Sequence, residues 1–363
     1  MLMFRADGNS QVGAGHIMRC LSIADAGRRY AGEDSLFVLA SDDFKGIIEG
    51  RGYRCAVLGT DYRHMESETG RMEELIYCHK PRALVTDSYY VTVEYLDSLK
   101  DMACRVGGRL VYLDDVMAFA YPCHILINYN IYGPDQREFY EDLYKQAGYG
   151  LPKFLLGTDY VPLREEFQNL AARETRKEAK DILISTGGAD MEHIALGLAQ
   201  YLVRTRDWQE GRKFDGFRFH FIVGAMNGDL EKIQAAAGDD ERIVLHVQVT
   251  DMQRLMSQCD TALSAAGSTL YELCAAQTPA VTYILADNQE PGAKGFERYG
   301  VLACAGDART MERTQIPGRL LGAAVDLARS YERRKDVIGR QRALVDGDGA
   351  KRIVDSMLAC DGK

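Results

Sequence analysis

Arg5-Ala6-Asp7-Gly8-Asn9-Ser10-Gln11-Val12-Gly13-Ala14-Gly15-His16-Ile17-Met18-Arg19-Cys20 is the stretch on which the reading of this chain turns. An apolar run from Met1 to Ala6 gives way near Asp7 to a polar loop with glycines, and apolar residues then recur at Ile17, Cys20, Leu21 and Ala24. That i, i+3, i+4, i+7 spacing is one face of an amphipathic helix, which opens at Gly15 or His16. In an open parallel sheet, a strand, a glycine loop and a helix in succession mark the carboxyl-end crevice where ligands bind. Glycines let backbone approach a ligand, and free amides at a helix start attract anions. Asp7, Gly13 and Gly15 are therefore candidate substrate contacts, and His16 in the first turn is a candidate general base.

Working outward, short β-rich runs alternate with helical stretches along the whole chain, which argues for parallel α/β sheets. Strands are expected at 1–6, 35–40, 55–58, 83–86, 110–113 and 124–128, then at 181–185, 218–223, 243–247, 261–264, 280–284 and 301–304. Several are continuously apolar, as burial on both faces requires. Ile194, Leu198 and Leu202 carry the helical period in the second half. Two Rossmann-like domains are expected, 1–160 and 161–363, with the crossover in 157–168 around Pro162. The polar stretch 204–216, which holds the only tryptophan, reads as a surface excursion.

Composition narrows the function. With 46% hydrophobic and 27% charged residues the chain is ordinary globular protein, not collagen or a disordered tail. A net charge of -9 opposes non-specific contact with nucleic acid or anionic lipid, so a small-molecule partner is expected and neither nucleic acid nor membrane. No apolar run approaches the roughly 20 residues of a membrane span, and no signal peptide is visible. Nine scattered cysteines, odd in number and without C-x-x-C spacing, read as reduced thiols in a cytoplasm. The histidines lack zinc-site spacing, so neither a metal nor a cofactor is expected. The pairs Asp42-Asp43 and Asp114-Asp115 read as strand-end turns. The dinucleotide fingerprint fails at Met18, and no phosphate-binding G-x-x-x-x-G-K-[ST] occurs.

A second strand, small-residue loop and helix appear in Ser264-Ala265-Ala266-Gly267-Ser268-Thr269-Leu270-Tyr271-Glu272-Leu273. Gly267, Ser268 and Thr269 can offer amides and hydroxyls to a pyrophosphate, and Glu272 a turn later can accept two ribose hydroxyls. The competing reading makes Ser268 an ordinary helix cap and Glu272 a first-turn acid. Asp287-Asn288-Gln289-Glu290 follows an apolar strand, with Asn288 and Gln289 able to reach a sugar or its phosphates. Ser185-Thr186-Gly187-Gly188-Ala189-Asp190 is another such opening, with Gly187 and Gly188 as contacts and Asp190 as a cap. Asp87-Ser88-Tyr89 offers a carboxylate and a phenol on the crevice side.

Taken in order, RADGNSQVGAGHIMRCLSIADA, STGGAD, AAGSTLYEL and ADNQ resemble the UDP-2,4-diacetamido-2,4,6-trideoxy-β-L-altropyranose hydrolases of pseudaminic acid biosynthesis. That family is similar to the GT-B glycosyltransferases, among them the lipid-linked muramyl-peptide N-acetylglucosaminyltransferase. The resemblance implies a GT-B-like α/β protein, two Rossmann-like domains facing across a cleft, with UDP held mainly by the C-terminal one. It implies a metal-independent hydrolase that uses His16 to activate water at the anomeric carbon, with inversion. Tyr89 is then an active-site partner, Glu272 the ribose contact, Gly267 to Thr269 the diphosphate loop, and Asn288 and Gln289 its neighbours. A UDP-sugar is the expected partner, with no obligatory protein partner. The alternatives are a GT-B-type UDP-sugar glycosyltransferase and a non-catalytic sugar-nucleotide binder.

Overall fold

The computed structural model describes residues 1–9, 12–187, 190–224 and 227–359. The chain forms two compact units, Met1–Glu165 joined by the chain from Gly347 onward, and Glu166–Asp346.

The first unit is built on β1 (Leu2–Ala6), β2 (Ser35–Leu39), β3 (Arg54–Val57), β4 (Ala83–Asp87), β5 (Arg109–Leu113), β6 (Ile125–Asn128) and β7 (Lys153–Leu156). Their order is β3-β2-β1-β4-β5-β6-β7, with parallel pairing throughout. Every residue of β1, β2 and β4 is buried, which is why these runs carry no alternating polarity. Phe4 lies between Phe37 and Val85, and the Phe4 and Phe37 rings stack at 4.9 Å. The chain leaves β1 toward β2 and β3, then returns to β4 on the other side, so the connections diverge at β1 and β4. Divergent connections open a crevice at the carboxyl ends of those two strands.

The second unit repeats the plan with β8 (Asp181–Ser185), β9 (Arg218–Val223), β10 (Ile243–Val247), β11 (Thr261–Ala265), β12 (Ala280–Ile284) and β13 (Leu302–Asp307), ordered β10-β9-β8-β11-β12-β13 and all parallel. Its divergence falls between β8 and β11. Ile182, Ile184, Phe219, Phe221, Leu263 and Tyr283 form one core with Leu198 and Leu202 of the helix Ile194–Arg204 and Leu320 and Leu321 of the helix Ile316–Arg329. Full burial of each such side chain contributes about 1.5–3 kcal/mol. Among the described residues no helix is long and apolar enough to cross a membrane, and the eight cysteines are unbridged.

Two features depart from the sequence reading. β7 is absent from the expected strands. It is a four-residue edge strand between Pro152 and Gly157 in which only Leu155 is buried, so it lacks the two-faced apolar run that marks its neighbours. The boundary also differs from 160/161, because the last helix, Gly349–Leu358, packs on Gly15–Ala31 of the first unit and does not stay with the second. Gly349 permits the contact, since a Cβ there would lie 2.2 Å from the Val161 carbonyl oxygen. Arg352 Nη1 then donates to the Asp159 carbonyl at 3.0 Å.

Candidate active site

At the first divergence the helix Gly15–Ala31 starts behind Ala14, and among the described residues no side chain caps it. His16 is nearly buried in the first turn. Its Nδ1 lies 2.5 Å from Asp87 Oδ1, at the last position of β4. Arg19, one turn on, grips the same carboxylate with both arms: Nε donates to Oδ2 and Nη2 to Oδ1, each at 2.5 Å. Its third arm, Nη1, donates to Asp115 Oδ2 at 3.1 Å and to the Tyr129 hydroxyl at 2.9 Å. Tyr89 sets its ring edge-on to His16, 4.6 Å between centroids, and its hydroxyl donates to Asp115 Oδ2 at 3.3 Å.

The electrostatics fix the histidine's role. Burial works to raise the Asp87 carboxyl, but Arg19 and His16 outweigh it and hold it well below the usual carboxylate range. Asp87 is then an acceptor only, so the hydrogen between it and the imidazole sits on Nδ1. Arg19 Nη2, 3.0 Å from that same nitrogen, carries two hydrogens and donates one to Asp87 Oδ1. Nε2 is left as the basic nitrogen. An imidazole oriented by a buried carboxylate, with the carboxylate in turn held by a guanidinium, is equipped to take a proton from an oxygen nucleophile. Burial and the neighbouring Asp115 push the Tyr89 phenol up, so it stays neutral and donates.

The structure brings His16 and Tyr89 together with Asp87, the carboxylate offered beside Tyr89 in the sequence, and adds Arg19 and Asp115, which the sequence reading left without a role in the site. Asp114 does serve a strand-end turn, accepting from the amides of Val116 and Met117, but Asp115 does not: it faces Arg19 and Tyr89. Asp7 follows β1 directly. Its Oδ2 takes Arg5 Nη1 at 2.5 Å and its Oδ1 the Ala40 amide at 2.8 Å, and Arg5 is itself locked onto buried Glu68. With both oxygens committed, Asp7 anchors β1 to the end of β2. Gly13 turns the loop at φ 75°, its amide bonded to the Asn9 carbonyl, and open space surrounds the missing side chains of Gly13 and Gly15. Ser10 and Gln11, between them, lie outside the described residues.

In the second unit, Gly187 has φ 91° with open space at its Cβ position, while Gly188 lies outside the described residues. Asp190 caps the helix Ile194–Arg204, accepting from the amides of Ile194 and Ala195. Gly267 and Ser268 are exposed and Thr269 is half-buried, at the head of the helix Thr269–Ala275. Ser268 occupies the cap position but makes no capping bond, so the ordinary-cap reading of this residue is not what the structure shows. Among the described residues the amides of Ser268 and Thr269 donate to no backbone carbonyl. Glu272 is half-buried in the first turn. Asn288 is exposed in the short turn Asp287–Gln289, whereas the Gln289 side chain accepts from the Leu285 amide at 2.8 Å and braces that turn. Arg309 ties the turn to β13 through contacts with Asp287 and Asp307.

No family model matches the chain. A curated protein of Campylobacter jejuni subsp. jejuni, named UDP-2,4-diacetamido-2,4,6-trideoxy-beta-L-altropyranose hydrolase, is 27% identical over 308 residues, covering 82% of this chain and 97% of that protein. The solved structure of CalG4, the calicheamicin glycosyltransferase, covers 98% of this chain and 96% of its own at a TM-score of 0.60 and 15% identity. S. aureus MnaA, in a co-structure with UDP, covers 98% of this chain and 94% of its own at a TM-score of 0.62 and 11% identity. The chain has the GT-B fold. It is related in sequence to proteins named for nucleotide-sugar processing.

Proposed function

We propose that the protein moves the glycosyl group of a UDP-linked sugar from UDP to an oxygen nucleophile, with His16 as general base. The observation that carries this reading is the Asp87-held imidazole at the divergence of the first sheet, with Arg19 fixing the carboxylate. Gly267, Ser268 and Thr269 stabilise the departing diphosphate through amides and hydroxyls, Glu272 takes the ribose, and Asn288 stands by the sugar. Displacement at the anomeric carbon breaks its bond to the UDP oxygen and inverts that centre, the nucleophile's proton going to His16.

The nucleophile separates two forms of the reading. An acceptor hydroxyl makes the protein a GT-B-type UDP-sugar glycosyltransferase, which the match to a glycosyltransferase over nearly the whole chain supports. Water makes it a hydrolase of a UDP-linked 2,4-diacetamido-2,4,6-trideoxy sugar in pseudaminic acid biosynthesis, which the name of the Campylobacter relative supports. In either form the reading assigns no step to a metal, and the protein works in the cytoplasm, where UDP-sugars are used. The test is incubation with a panel of UDP-sugars in oxygen-18 water, with and without candidate acceptors, followed by mass analysis. Label in free sugar with unlabelled UDP establishes hydrolysis, and a sugar–acceptor product establishes transfer. UMP, or label in a phosphate, sinks both.

A further inference from the structure

One guanidinium in the first unit faces two carboxylates. Arg19 spends Nε and Nη2 on Asp87 and Nη1 on Asp115. The titratable groups around His16 are Asp87 from β4, Arg19 and Cys20 from its own helix, and Tyr89 from the loop after β4. Asp115 after β5 and Tyr129 after β6 join through Arg19. Burial, ahead of any charge, pushes Tyr89, Tyr129 and Cys20 up, so all three stay neutral. The charged members are Arg19, Asp87 and Asp115. With a neutral imidazole the set carries one uncompensated negative charge, and it reaches neutrality when His16 takes up a proton.

We propose that Asp115 is a positioning residue for His16, acting through Arg19: it takes the guanidinium arm that Asp87 does not use, shares the charge of Arg19, and supplies the negative charge that the proton arriving on His16 neutralises. Were Arg19 paired with Asp87 alone, the carboxylate behind the imidazole would be fully compensated and the imidazolium would gain little from it. Asp115 keeps that gain. The same oxygen that meets Arg19 also accepts from Tyr89, so Asp115 holds the ring that stands edge-on to His16. Stability gives a weaker reason for the contact, because the pair is largely buried, Arg19 11% and Asp115 22% exposed, and the desolvation of the two charges offsets much of their attraction.

This inference rests on the reading of His16 as the base, and the experiment separates the two. Asp115→Asn keeps the shape of the side chain and removes its charge. Histidine carbon-13 resonances are followed by NMR across pH without substrate, the His16 signal being assigned by its loss in His16→Asn. The expected result is a His16 titration midpoint displaced to lower pH by about half a pH unit or more. The acid limb of the pH–rate profile should move the same way, and kcat/KM near neutrality should fall about threefold to tenfold, within the range such a charge supplies. Asp115→Glu should restore both. Asp25→Asn, on the same helix but paired with Arg51 and Tyr53, should leave both at the wild-type position. An Asp115→Asn midpoint that coincides with wild type, or an equal displacement in Asp25→Asn, overturns the proposal. Should Asp115→Asn fail to fold, Asp115→Ser is read by the same criterion. Absence of turnover in the wild type would count against the function and leave the NMR comparison intact.

Discussion

At the carboxyl ends of β1 and β4, His16, Arg19, Asp87, Asp115 and Tyr89 are bonded or packed to one another in a closed set before any ligand enters. At the carboxyl end of β11, Gly267 and Ser268 stand exposed, the Ser268 hydroxyl makes no capping bond, and among the described residues the amides of Ser268 and Thr269 donate to no backbone carbonyl. The topology of the two places is the same and their furnishing is opposite. Proton transfer demands side chains already fixed in orientation and protonation state, and such fixing comes only from neighbours that spend their own hydrogen bonds on it. Holding a diphosphate demands donors left unspent, because an amide already paired has nothing to give an incoming oxygen.

The sharpest way to break this contrast is to strike the closed set. His16→Ala should lower turnover about a hundredfold to ten-thousandfold, the usual cost of a missing general base, while calorimetry finds UDP affinity within about twofold of wild type. Wild-type turnover in the variant would make the set structural. Asp87→Asn should cost turnover about as much, since an amide can present the wrong group to Nδ1 and loosens Arg19, and about 1–3 kcal/mol of stability, because Arg19 is left with Asp115 alone.

The sign of the pH effect follows from the depressed Asp87 carboxyl. A carboxyl held low in the folded state adds stability that is complete above its unfolded value, about pH 4, and is lost as pH falls toward the folded one. The difference in unfolding free energy between wild type and Asp87→Asn should therefore be constant near neutrality and shrink between about pH 5 and pH 2. A difference that grows on acidification would mean that Asp87 is not held as an ion.

The open seat answers to a different deletion. Glu272→Ala should weaken UDP by about 1–3 kcal/mol, the cost of leaving two ribose hydroxyls without their acceptor, and should leave the His16 titration untouched. Unchanged UDP affinity removes Glu272 from the seat.

Much of this was legible in the sequence, for a physical reason. Parallel strands buried on both faces write themselves as apolar runs, and 181–185 and 280–284 coincide with β8 and β12, every residue of which is buried. Glycine loops between strand and helix likewise announce the carboxyl-end crevice, so His16 could be placed there. What stayed hidden is pairing across long stretches of chain. Nothing near Arg19 in sequence announces Asp87 or Asp115, which meet it only because β4 and β5 lie beside β1 in the sheet. The partners of Asp7 stayed hidden too: only the fold shows Arg5 and the Ala40 amide donating to its two oxygens. β7 escaped because its apolar run is only three residues, Phe154 to Leu156, set between Pro152 and Gly157.

The smallest expected effect is the one that separates a seat from a cap. Ser268 stands where a serine ordinarily secures a helix, and replacing such a cap by alanine costs about 0.5–2 kcal/mol of stability. Here the hydroxyl makes no capping bond, so Ser268→Ala should change the unfolding free energy by no more than a few tenths of a kcal/mol, as an unengaged surface position does. If the hydroxyl is kept for the ligand, its removal should instead appear in binding, as a loss of about 0.5–1.5 kcal/mol for UDP, the net worth of one hydrogen bond. The two measurements lie on different axes and the two accounts predict opposite patterns. A variant less stable by about 1 kcal/mol that binds UDP as tightly as wild type would show that Ser268 caps its helix in solution after all, and the contrast between the closed set and the open seat would then rest on Gly267, Thr269 and Glu272.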